Sequence, residues 1–103
     1  MRTIKVREDG IEILQATMSF RKEILRNKIE DYKLEIEEFE KKYDMESKEF
    51  YNKFNSGELG DDKDWFEWVY LYETINNLKK EFALLESINL WISIIILKKS
   101  KNL

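Results

Sequence analysis

Between Phe20 and Tyr43 apolar residues recur at steps of three and four: Leu25, Ile29, Tyr32, Ile36, Phe39 and Tyr43, with charged residues filling most positions between them. That period places one stripe on one face of a helix and extends over nearly three heptads. Phe20, Ile24 and Leu34 widen the stripe, as bundle packing requires. Thr17 or Ser19 is the expected N-cap. A second run, Trp68, Leu71, Ile75, Leu78, Phe82 and Leu85, repeats the same steps and predicts a second long helix. Between them, DMESKEFYNKFNSG predicts a short helix carrying Phe50, Tyr51 and Phe54. Gly57 is its natural stop and Asp44 a linker residue that tolerates the left-handed conformation. Two long helices with matching seams and a short insert predict an antiparallel helical hairpin.

The two ends of the chain follow other patterns. In TIKVREDGIEILQ, apolar residues alternate at Ile4 and Val6 and again at Ile11 and Ile13, around Asp9-Gly10. That is the signature of a β-hairpin with a two-residue turn. Its apolar face would cover the domain's own core or offer an edge to a partner's strand. At the other end, INLWISIIIL carries almost no period. It fits a buried strand, because isoleucine favours strands, and it equally fits a continued helix with Leu85, Ile92 and Ile96 on the seam. In either form it cannot stay exposed. The expected fold is therefore mainly α: an antiparallel long-helix hairpin with a short intervening helix and a small N-terminal β-hairpin. The expected divisions are a β-hairpin over 1–16, a helical hairpin over 17–87, and a hydrophobic tail with a basic end over 88–103.

Composition narrows the chemistry. The chain of 103 residues has no histidine, cysteine or proline. It thus lacks the usual general base, the commonest metal ligand, a thiol nucleophile and any disulfide. We expect no enzyme activity, no cofactor and no metal. The stretch GELGDDKDWFEW tests that expectation, because Asp61, Asp62 and Asp64 suggest a cation loop. Counted from Asp62, a calcium loop would place Phe66 and Glu67 where an oxygen ligand and a glycine belong, so the pattern fails. Asp64 and Glu67 instead match a capping box that starts the second long helix. Trp65, Phe66 and Trp68 then form its first turn. Trp68 belongs to the seam, one of Trp65 and Phe66 packs on Phe50 and Phe54, and the other is a candidate partner anchor. In the tail, Trp91, Ile92 and Ile95 are further candidate partner contacts.

Net charge is −3, and the body from 20 to 97 carries −6. An acidic body disfavours phosphate backbones. The basic start FRKEILRNK reads as a solvated helix face before it reads as a DNA contact. The ten residues Ile88–Leu97 are too few to span a bilayer, and no signal peptide is visible, so a cytoplasmic protein without membrane contact is expected. Excess apolar surface predicts a homo-oligomer.

From ATMSFRKEILR through FEKKYDMESKEFYNKFNSGELGDDKDWFEW, about residues 16–86, the chain resembles small archaeal and bacterial proteins that form the antitoxin half of toxin–antitoxin pairs. The matching residues are Lys42, Tyr43, Met45, Phe50, Phe54, Gly57 to Gly60, Asp61, and Asp64 to Trp68; Asp44 stands where that family often has glycine, and the isoleucine tail departs from it. The resemblance implies a non-catalytic protein that binds and neutralises a cognate toxin, commonly a ribonuclease. The alternative is a structural coiled-coil homo-oligomer without a toxin partner.

Overall fold

The computed structural model describes the backbone of residues 8–101 and the side chains of residues 9–99. Three helices follow in order: α1 (Glu8–Tyr43), α2 (Ser47–Asn55) and α3 (Lys63–Lys101). α1 and α3 have 36 and 39 residues, so each is between about 54 and 59 Å long. They lie antiparallel. At one end Lys42 meets Asp64, further along Arg21 meets Glu81, and beyond that Lys22 approaches Glu86. The molecule is a rod of 64 × 28 × 21 Å with a radius of gyration of 20.0 Å, well above the ~13 Å of a compact chain of this size.

Both predicted seams face inward. Leu25 and Ile36 on α1, and Trp68, Leu71 and Ile75 on α3, are buried. Ile29, Tyr32, Phe39, Leu78, Phe82 and Leu85 are half-buried beside them. Of the three residues expected to widen the first stripe, only Ile24 is half-buried, whereas Phe20 and Leu34 face solvent. The connections are as expected. Asp44 adopts φ 49° and Gly57 φ 77°. After α1, the Met45 amide reaches back to the Glu40 carbonyl. After α2, the Glu58 and Gly57 amides bond the Lys53 and Phe54 carbonyls. This double closure is the Schellman stop, which needs its left-handed residue where Gly57 stands.

The N-terminal β-hairpin is not found. Its turn, Asp9-Gly10, and its second strand, Ile11 to Ile13, are helical, while Ile4 and Val6 lie outside the described residues. No strand occurs among the described residues. The physical reason is partnership. A two-stranded hairpin needs a third surface to be stable. Extending α1 instead satisfies each backbone group locally. Asp9 accepts a hydrogen bond from the Gly10 amide, and an aspartate in a first helical turn suits the positive end of the helix dipole. Thr17, expected as a cap, is mid-helix and donates to the Ile13 carbonyl at 2.8 Å. The same logic resolves the tail. A lone strand would leave its amides unpaired, whereas α3 continues unbroken through residues 88–97 with no proline or glycine to stop it.

Candidate protein-binding surface

The two ends of the rod differ in chemistry. At the α2 end the aromatic block closes a core. Trp68 is fully buried and stacks on Phe50, with ring centroids 3.9 Å apart and planes 1° from parallel. Phe39 and Tyr43 stack around it at 5.7 and 5.8 Å. Its indole N–H donates to Ser47 Oγ at 2.9 Å. Ser47 in turn donates both its hydroxyl and its amide to Glu40, each at 2.9 Å. One α1 carboxylate therefore satisfies the first amide of α2 and the hydroxyl beneath Trp68, so no buried polar group is stranded.

The aspartates of GELGDDKDWFEW are likewise consumed by the fold, in a different arrangement from the capping box expected at Asp64. Asp62 is the cap: its carboxylate accepts from the Asp64 amide at 2.9 Å. Asp64 lies inside the first turn of α3 and reaches across to α1. There Lys42 Nζ donates to it at 2.8 Å and the Tyr43 hydroxyl donates to the same oxygen. The Lys42 hydrogen bond, then that from Tyr43, holds the Asp64 carboxyl below its usual range, and the bond to Asp64 pushes the Tyr43 phenol up. Three adjacent aspartates hid this division, because any of them can cap a helix. Among the described residues no group of three acidic side chains is placed to hold a metal ion.

The candidate partner contacts fall in different places. Trp65 is half-buried, with its ring 4.6 Å from Tyr43 and 5.5 Å from Phe50. Phe66 is 55% exposed and meets Phe54 edge-on at 5.8 Å. In the tail, Trp91 is 65% exposed, Ile95 is exposed, and Ile92 is half-buried. Phe66 and Trp91 stand 25 positions apart on one helix, about 37 Å, so the five do not form a single site.

The other end of the rod is open. Ile13, Leu14 and Phe20 on α1, and eight large apolar residues between Leu84 and Leu97 on α3, are exposed. These side chains point to several sides of the two helices, so this end of the rod is densely apolar on its surface. The orientation of the tail adds to the imbalance. Its polar residues Asn89 and Ser93 are half-buried, while Ile88, Leu90 and Trp91 face out. Ser93 satisfies its hydroxyl on the Asn89 carbonyl at 2.9 Å. With polar residues turned in and apolar ones turned out, this stretch of α3 presents a surface suited to being covered.

A second exposed stripe runs along the outer face of α1. Phe20 and Leu34 lie on it, accompanied by Glu23, Glu30, Asp31 and Glu38, all exposed. Sequence reasoning placed Phe20 and Leu34 in the packing stripe and missed this face. The signal was present in their seven-residue relation to Asn27, which marks a line on the helix opposite Leu25 and Ile36.

The fold and surface thus define a long antiparallel helical hairpin, closed by an aromatic block at one end and apolar at the other. No family model matches the chain, and neither curated proteins nor solved structures offer a match. No described helix is long and apolar enough to cross a membrane.

Proposed function

We propose that this chain is a non-catalytic protein-binding module that acts as the antitoxin of a toxin–antitoxin pair, neutralising a cognate toxin of ribonuclease type. The observation that carries the binding reading is the outer face of α1, where the large apolar side chains of Phe20 and Leu34 stand exposed. This face is acidic on balance, with Glu30, Asp31 and Glu38 against Lys41 and with Glu23 paired to Arg26, which suits a partner of basic character. A nucleic-acid-cleaving enzyme has such a basic surface, since it must attract phosphates. The antitoxin role itself rests on the resemblance of the GELGDDKDWFEW block.

The test is co-expression with the product of the adjacent reading frame. The wild-type chain should restore growth to cells making that product and should co-purify with it. Phe20→Glu and Leu34→Glu should keep the helical circular dichroism and lose rescue. A neighbour that is harmless alone, or rescue that survives both substitutions together, would contradict the reading. The second reading, a structural coiled-coil homo-oligomer without a toxin, is favoured by the exposed apolar residues between Leu84 and Leu97; it predicts self-association with no rescue.

A further inference from the structure

The outer face of the α3 tail carries a seam of its own. Leu84, Ile88, Trp91 and Ile95 step by four, three and four residues, and at 3.6 residues per turn they fall within about 60° of one another. All four are exposed, pointing away from α1. The stripe is also self-complementary. Laid antiparallel on a second copy, Leu84 meets Ile95 of the other chain and Ile88 meets Trp91, and the same pairs recur by two-fold symmetry. One step further along the same spacing stand Glu81 and Lys98. In this register Lys98 of one chain comes opposite Glu81 of the other, whose carboxylate also holds Arg21 of its own chain.

We propose that this stripe is the interface of a homodimer: two hairpins pack their α3 tails antiparallel about a two-fold axis between Ile88 and Trp91. A second copy is the occupant for two reasons. The four stripe residues expose on the order of 400 Å² of surface per copy, the scale of a small, concentration-dependent two-fold interface. The stripe is also its own complement when reversed, with Lys98 of each copy brought to the Arg21–Glu81 pair of the other. An isologous two-fold contact also closes on itself, so it makes a dimer and no filament. The dimer leaves the outer face of α1, with Phe20 and Leu34, free for the partner proposed above, and it does not depend on that proposal.

The test uses the full chain. Sedimentation velocity should give a species of about 25 kDa, twice the 12.6 kDa of one chain. Trp91→Glu should return it to one chain with its helical signal intact, because Trp91 touches solvent in the single hairpin. Register is read by cross-linking, since the chain has no cysteine of its own. Leu84→Cys protein mixed with Ile95→Cys protein should oxidise to the mixed disulfide. Leu84→Cys alone should not, because its copies would stand 11 positions apart along the seam, about 16 Å and beyond the ~7 Å reach of a disulfide. A single-chain mass at about 100 μM, an unchanged dimer in Trp91→Glu, or a dominant Leu84→Cys homodisulfide would each overturn the proposal. Loss of growth rescue with the 25 kDa species intact would count against the toxin partner alone.

Discussion

Truncating Trp68 is the sharpest perturbation of the fold. The side chain is fully buried, stacked on Phe50 and flanked by Phe39 and Tyr43. Trp68→Ala removes about 200 Å² of buried aromatic surface, which at roughly 25 cal/mol per Å² is about 5 kcal/mol. Measured aromatic-to-alanine changes in cores run about 3–5 kcal/mol. The hydrogen bond to Ser47 adds little to the loss, because Ser47 keeps Glu40 as its acceptor. A domain of this size has only about 5–15 kcal/mol in hand, so the variant should be close to unfolding. Trp68→Phe separates the terms: it keeps most of the burial, loses the indole donor, and should cost about 1–2 kcal/mol. The assay is urea unfolding followed by far-ultraviolet circular dichroism, all variants at one protein concentration, because association would shift the midpoint. A Trp68→Ala loss below about 1 kcal/mol, or a Trp68→Phe loss equal to that of alanine, would refute the reasoning.

Other expectations follow from the same contacts. In urea melts, Trp65→Ala should cost about 1–3 kcal/mol, since its ring is half-buried against Tyr43 and Phe50, whereas Phe66→Ala should cost under about 1 kcal/mol. Gly57→Ala should destabilise by about 1–2 kcal/mol through its φ of 77°, while Asp44→Gly, at φ 49°, should be neutral or gain up to about 1 kcal/mol; thermal melts decide both. Asp64 and Glu81 sit below their usual carboxyl range in the folded chain, the first through Lys42 and the second through Arg21. The stability they contribute is therefore present above the unfolded carboxyl pKa, about 4, and is lost as pH falls through the lowered values. Melting temperature against pH should fall on acidification, less steeply in Asp64→Asn, and an identical slope would remove Asp64 from the account.

The legibility of the fold tracked the periodicity of the chain. The seams of α1 and α3 could be read because Leu25 to Tyr43 and Trp68 to Leu85 each keep a period that only a helix uses. The Asp44 and Gly57 turns could be read because a left-handed backbone selects few residues. The N-terminus misled because Asp9-Gly10 and the flanking isoleucines signal a turn locally, while a helix already formed from Met18 onward extends backwards one hydrogen bond per residue. In the tail, apolar residues are so dense that inner and outer seams overlap; Leu84, Ile88, Trp91 and Ile95 emerge as a separate stripe only once Asn89 and Ser93 are seen turned inward. Trp65 was ambiguous for the reverse reason: its neighbours on α2 and at the end of α1 are set by two turns, not by spacing along one helix.

The central claim is a division of labour: the aromatic block holds the fold and the open end holds other protein. Amide hydrogen exchange, compared between the wild-type chain and Trp91→Glu at about 100 μM, tests it most directly. The account predicts equal protection of residues 64–75 in both proteins, and protection of residues 84–97 in the wild type that drops at least tenfold in the variant. Equal protection of the tail in both would mean that the hairpin covers its own end, and a loss of protection at Trp68 would mean that the two ends are one structure; either result would contradict the account.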